Sequence, residues 1–208
     1  MTMPSPVAPE WFAHQDTVSM ARGLLGQLLV HSTAEGWAAG MIVETEAYRG
    51  PMDQAAHSFG NRRTRRTEVM FGPPGHAYLY QIYGLYVCFD VVSGPVGAPE
   101  AVLVRAVAPV ENLPLMARRR GVWAESDLAS GPGKLTQALG ITMAHNGLPL
   151  WEPPLYLAHY RDPWPAHAIA AGPRRNIPYA GEAQHYPWRF WIRGHAAVSR
   201  PSGPAAER

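Results

Sequence analysis

Glu44, Glu46 and Tyr48 occupy alternate positions near the end of one stretch and are the set in this sequence best suited to proton chemistry. From Met41 to Tyr48, Met41, Val43, Thr45 and Ala47 alternate with Ile42, Glu44, Glu46 and Tyr48, and a strand sends successive side chains to opposite faces. Two carboxylates and a phenol therefore share one face. Arg49-Gly50-Pro51 stops the strand, because proline cannot donate to a ladder and glycine frees the turn. A solvated edge face has the same pattern, so its meaning depends on the rest of the chain. Arg105 is the first residue to bear on it. It interrupts the apolar run Ala101 to Val107, and a buried guanidinium must be paired or must hold an anion or water. It is either the ion-pair partner of a carboxylate such as Glu46 or part of a site.

Two further features suit a polyanion. Arg62, Arg63, Arg65 and Arg66 form one basic cluster and Arg118 to Arg120 a second, a distribution that fits phosphates or a solvated loop. Gly131-Pro132-Gly133-Lys134 reads as a glycine turn feeding a helix, an anion seat with Lys134 in its first turn. It is not a Walker loop, since leucines stand at 128 and 135 where that pattern needs glycine and a hydroxyl residue. Tyr83 is the odd residue. Tyr78 to Val92 reads as a β-hairpin with its tip near Tyr83-Gly84, and a tip is an unusual place for an aromatic ring. Tyr83 either meets a partner that slots around it or folds back onto the sheet.

The elements that position these residues are legible in outline. Asp16 is placed to cap a helix running to about Leu25 with Gly26 as terminator. Leu28 to His31 reads as a short strand, Leu113 to Arg120 as a helix ending at Gly121, and Leu155 to Ser199 as proline-punctuated loop with short strands. The 208 residues suit one domain, expected to span 16–200 between a flexible arm at 1–15 and a flexible tail at 201–208. No run of about 18 apolar residues could span a membrane, and no signal pattern opens the chain, so a soluble cytoplasmic protein is expected. Cys88 is the one cysteine, which excludes an intrachain disulfide and zinc sites needing two thiolates. No H-E-x-x-H, G-x-S-x-G or dinucleotide fingerprint is present, which leaves metal, serine and nicotinamide chemistry without a footing.

Taken in order, Ile42 to Gly50, the Asp53 to Ser58 loop, the Tyr78 to Asp90 hairpin, Val104-Arg105-Ala106 and Gly131 to Leu135 resemble the alkyladenine (3-methyladenine) DNA glycosylase family. The resemblance runs from about Ala21 to Ser199. It implies a mixed α/β (α+β) domain with a central, mostly antiparallel sheet, flanking helices and a protruding β-hairpin. The implied activity is base excision. A damaged purine such as 3-methyladenine, 7-methylguanine, hypoxanthine or ethenoadenine is flipped out of duplex DNA, and an activated water hydrolyses its N-glycosidic bond. By the same resemblance Glu46 is the general base, and Arg105 with the backbone carbonyl of Val198 holds the water. Tyr48, His57 and Tyr80 sandwich the base, with Asp90 at the pocket floor. Tyr83 fills the hole left in the duplex, while Arg62, Arg66 and Lys134 contact phosphates. No cofactor or metal is implied, the expected partner is double-stranded DNA, and a monomer is expected.

One departure concerns Asp90, where better-known members of that family carry asparagine. An ionised aspartate only accepts hydrogen bonds, so it could accept from the exocyclic amine of guanine and tolerate guanine adducts such as 7-methylguanine. Gln81 and the Arg63/Arg65 pair also differ locally. A catalytically silent damage-binding domain is the alternative, and the presence of Glu46 counts against it. A hydrolase of RNA or free nucleosides would not need a wedge at Tyr83. No lysine adjoins Glu46 to form a Schiff base, so no strand-cleaving lyase activity is expected.

Overall fold

The long strand carrying the two glutamates is the spine of the sheet. The computed structural model describes residues 2–13, 15–160 and 163–199. In it, β1 (Leu28–Thr33) and β2 (Gly36–Tyr48) form a hairpin in which Leu28 faces Met41 and Thr33 faces Gly36. Strands β3 (Ala77–Ile82) and β4 (Tyr86–Val92) form the predicted second hairpin, and β5 (Ala101–Glu111) follows. With β6 (Leu155–Ala158), the order is β3-β4-β5-β2-β1-β6. Two late strands, β7 (Ile169–Gly172) and β8 (Arg189–Ile192), pair with each other, and β8 adds to the C-terminal half of β2. Every pairing is antiparallel. The fold is therefore the expected mixed α/β domain, with few helices around a curled antiparallel sheet.

Burial separates the two faces of this sheet. Val43, Ala47, Leu79, Phe89, Val91, Val102 and Val104 point into the main core, while Tyr78, Tyr80, Cys88, Val92, Ala101 and Leu103 form a second cluster on the other face. The alternation follows from the two-residue period of a strand. Helices pack the main core. Asp16 caps α2 (Thr17–Gly23) as expected, its Oδ1 accepting from the amides of Val18 and Ser19 at 2.9 and 3.1 Å. Next come α3 (Leu113–Arg120), α4 (Glu125–Leu128) and α5 (Pro132–Leu139). Leu115, Met116, Leu135, Ala138 and Leu139 bury their side chains there. Among the described residues no helix is long and apolar enough to cross a membrane.

The N-terminal segment differs from the expected loose arm. Residues Glu10–Ala13 form a helical turn, α1, and Val7 and Phe12 are buried in the main core. Pro6 bridges to Ala158, and the Tyr156 hydroxyl donates to the Pro4 carbonyl at 2.9 Å. Spaced apolar anchors among the prolines tie the segment down, each fully buried one contributing about 1.5–3 kcal/mol. The expected tail, 201–208, lies outside the described residues.

Candidate active site

β2 and β5 carry the reactive set, and an irregularity in their pairing brings it together. Ile42 faces Val107 and Glu44 faces Ala106, yet Thr45 faces Val104, so Val43 and Arg105 each stand without a direct partner. Two opposed bulges cancel, and such bulges re-aim side chains. Arg105 is thereby placed between the carboxylates, with Nε 3.3 Å from Glu44 Oε1 and Nη1 3.2 Å from Glu46 Oε2. Its Nε, though ion-paired, has no hydrogen-bond partner among the described residues.

Glu46 is fully buried, with 0% exposure. Its Oε1 accepts from the Arg175 backbone amide at 2.8 Å and its Oε2 from the Tyr48 hydroxyl at 2.8 Å. With Arg105 these make three donors around one carboxylate, against about four acceptor positions. One lone pair is left over for a further donor. Glu44 is tied up more completely, accepting from Arg189 Nε at 2.6 Å and from the Ser199 amide at 2.7 Å. Burial pushes its carboxyl up, and Arg105, the Ser199 amide and Arg189 outweigh that, holding it below the ordinary carboxylate value. The two glutamates thus divide: Glu44 anchors Arg105 and Arg189, while Glu46, not itself a lining residue, is bonded to Tyr48, Arg105 and Arg175, which line the cleft.

The cleft, of about 720 Å³, opens over the second face of the sheet and is lined by Tyr48, His57, Tyr78, Tyr80, Asp90 and Arg105 among others. Its walls interlock. His57 stands edge-on to Tyr80, ring centroids 4.6 Å apart, and its Nδ1 lies 2.9 Å from the Tyr78 hydroxyl. Arg66 Nη2 is 3.3 Å from His57 Nε2. Arginine only donates, so Nε2 accepts, Nδ1 carries the proton, and His57 is neutral. Burial, with the Arg66 charge adding to it, pushes the imidazole down to about 4. Burial raises the Tyr80 phenol.

Asp90 lies at the floor, 3% exposed, opposite Leu103 on β5 and Tyr78 on β3. Its Oδ1 has no hydrogen-bond partner among the described residues. Burial, then the charge of Glu46, push its carboxyl well above the ordinary value. Both effects favour the protonated form of Asp90, which can donate as well as accept, over the ionised form considered from sequence.

At the mouth, Ile82 faces Tyr86 across a tip of three residues, and Tyr83 has a positive φ of 53° with its side chain 86% exposed. A positive φ is uncommon for a bulky residue and marks stored strain. Tyr83 does not fold back onto the sheet. Leu85, 80% exposed, stands beside it.

The expected phosphate contacts are arranged differently from one another. Arg62 is exposed and outside the cleft lining. Arg66 lies over the Tyr80 ring, 5.0 Å from its centroid, and is engaged with the pocket wall. Lys134 lines the cleft and is ion-paired with Asp127 rather than free at the helix start. Val198 packs against the main core and is not a lining residue; its neighbour Ser199 supplies the amide that meets Glu44 rather than Glu46.

Sequence reasoning passed over Asp53, Arg174 and Arg189. Arg174 Nη2 donates to Asp53 Oδ1 at 2.7 Å and Nη1 to Asp53 Oδ2, both side chains wholly buried. Asp53 Oδ2 also accepts from the Arg49 amide and Oδ1 from the Ala55 amide, each at 3.0 Å. This pairing organises the loop between Tyr48 and His57. The only local signal was the Gly50-Pro51-Met52-Asp53 turn.

Comparison with known proteins identifies the family. The family model described as methylpurine-DNA glycosylase matches residues 11–196. A Bacillus licheniformis protein is 52% identical over 192 residues, covering 92% of this chain and 96% of its own length. A Bacillus cereus protein is 50% identical over 205 residues, covering 93% of this chain and 98% of its own. Both carry the name "Putative 3-methyladenine DNA glycosylase". With a match over almost the whole folded chain and relatives near half identity, this chain belongs to the methylpurine-DNA glycosylase family and is a DNA glycosylase.

Proposed function

We propose that the protein excises alkylated or deaminated purines, among them 3-methyladenine and 7-methylguanine, from double-stranded DNA by hydrolysis alone, without lyase chemistry. The observation that carries this reading is the juxtaposition of Glu46 and Arg105 with an aromatic cleft whose mouth bears an exposed tyrosine. Tyr83 enters the duplex and replaces the extruded nucleotide, as exposed wedges do. The flipped base lies among Tyr48, His57 and Tyr80, where stacking is worth about 1–3 kcal/mol per base, comparable with the cost of flipping. Alkylated purines that carry positive charge gain further against electron-rich rings.

In the chemical step Glu46 accepts a proton from a water through its remaining lone pair, while Arg105 orients that water. The oxygen forms a bond to the sugar C1′, the C1′–N bond breaks, and its electron pair leaves with the purine. A cationic purine departs as a neutral base, and a neutral purine departs as its anion and takes a proton from water, in each case leaving an abasic site. Neutral His57 donates from Nδ1 to Tyr78 and does not place a second positive charge beside an already cationic base. Asp90, as a neutral acid, presents both a carbonyl oxygen and an O–H to the edge of the base. Guanine adducts are therefore tolerated through the carbonyl oxygen rather than through a carboxylate. Arg62 meets phosphates without reading sequence. The protein acts as a monomer in the cytoplasm. The test is release of free purine from a duplex bearing one lesion, with the strand left intact until alkali is added. Strand scission without alkali would overturn the hydrolytic reading, and no release from any alkylated duplex would overturn the reading as a whole.

A further inference from the structure

The ion pair behind Tyr48 offers a role that base stacking alone does not describe. Arg174 lies between two rings, its guanidinium carbon 4.7 Å from the Tyr48 centroid and 5.1 Å from that of Trp188. Its side chain is wholly buried and absent from the cleft lining, whereas Tyr48 is part of that lining. The guanidinium therefore lies over the Tyr48 ring, and the same ring lines the cleft. A cation held there works against any cation stacked on the opposite side, since like charges repel through a thin low-dielectric layer. Asp53 removes that penalty. Its two oxygens take both terminal nitrogens of Arg174, which also donates to the carbonyls of Ala47 and Ala183 at 2.9 and 3.1 Å.

We infer that the Asp53–Arg174 pair is a charge-compensating backing for Tyr48, whose neutrality lets the cleft accept positively charged purines. The guanidinium supplies a flat, rigid support for the ring, and the carboxylate cancels its charge as seen from the cleft. The pair touches no substrate. Its effect is confined to the relative handling of cationic and neutral bases, which a purely structural role would lower together. The inference rests on the proposed function, and the experiment separates the two.

Single-turnover release is measured from duplexes bearing either 7-methylguanine, which is cationic, or hypoxanthine, which is neutral. Asp53→Asn leaves the Arg174 charge uncompensated. The ratio of cationic to neutral base release is expected to fall roughly tenfold or more relative to the parent. The double variant Asp53→Asn/Arg174→Met carries neither charge and is expected to restore the ratio. Cooperative melting is checked first. If Asp53→Asn does not fold, Arg174→Met leaves a carboxylate behind the ring, and the ratio is expected to move the other way, towards the cationic base. An unchanged ratio in the folded single variants overturns the inference even where absolute rates drop. A parent that releases neither base overturns the proposed function, and this inference with it.

Discussion

His57 provides a quantitative test of how the cleft wall is built. The imidazole ordinarily titrates at 6.5, and burial, with the Arg66 charge adding to it, pushes it down to about 4. Between those values the unfolded chain binds a proton that the folded chain does not, so stability rises with pH across the window. Read in the other direction, the contribution is complete above about pH 6.5 and is lost as pH falls towards about 4. At about 1.4 kcal/mol per unit, the interval from 6.5 to about 4 amounts to about 3 kcal/mol. Partial exposure at the cleft wall reduces this to about 2–3 kcal/mol. The assay is urea unfolding of the parent and of His57→Asn at a series of pH values across that window. His31 and His195 are also pushed down by burial, but both are present in each protein and cancel in the difference. The stability of the parent relative to the variant should decline steadily with acidification. A difference that stays constant across the window, or a His57 ring resonance titrating at the ordinary histidine value, would refute the neutral tautomer assigned from Arg66.

Two other perturbations probe the floor and the mouth of the cleft. Asp90 has a raised folded-state pKa, so its favourable contribution is fully present below the ordinary aspartate value and is lost as pH rises. Asp90→Asn should therefore be more stable than the parent at neutral pH, with an advantage that grows with pH in thermal melts, while retaining release of 7-methylguanine. An advantage that shrinks with pH would mean the carboxyl is ionised in the fold. Tyr83→Ala removes a side chain that is 86% exposed, so stability should change by less than about 0.5 kcal/mol. Single-turnover release from duplex should nevertheless drop about 10- to 100-fold, as loss of about 1–3 kcal/mol of stacking would give. Equal release by both proteins would remove the wedge.

Alternation along the chain made the reactive face readable, because a two-residue period alone puts Glu44, Glu46 and Tyr48 on one side of β2. Arg105 was readable for a related reason, as one charge in an apolar strand demands a partner, and it found both glutamates. Aromatic and β-branched residues around Tyr83-Gly84 marked the hairpin and its tip. What escaped the sequence depends on contacts between distant segments. Asp53 and Arg174 meet across 121 positions with no periodic signal, and β8 joins β2 from a stretch that reads mostly as loop. The doubled bulge at Val43 and Arg105 is a matter of register, which a strand pattern does not encode. In the N-terminal segment the prolines point to looseness, whereas burial of Val7 and Phe12 supplies anchorage. The upward push on the Asp90 carboxyl follows from burial beside Glu46, a property of the assembled sheet.

In the proposed mechanism Glu46 activates the water that displaces the base. The most direct test compares Glu46→Gln with the parent on a duplex bearing one alkylated purine, measuring binding and single-turnover release at matched salt. Glutamine keeps the size of the side chain and can still accept from the Arg175 amide, but it cannot take a proton from water at neutral pH. Release should fall by about 10²- to 10⁴-fold, the usual contribution of a positioned base, with duplex affinity preserved. Release by Glu46→Gln at a rate near that of the parent would contradict the claim and move the chemistry to another group in the cleft.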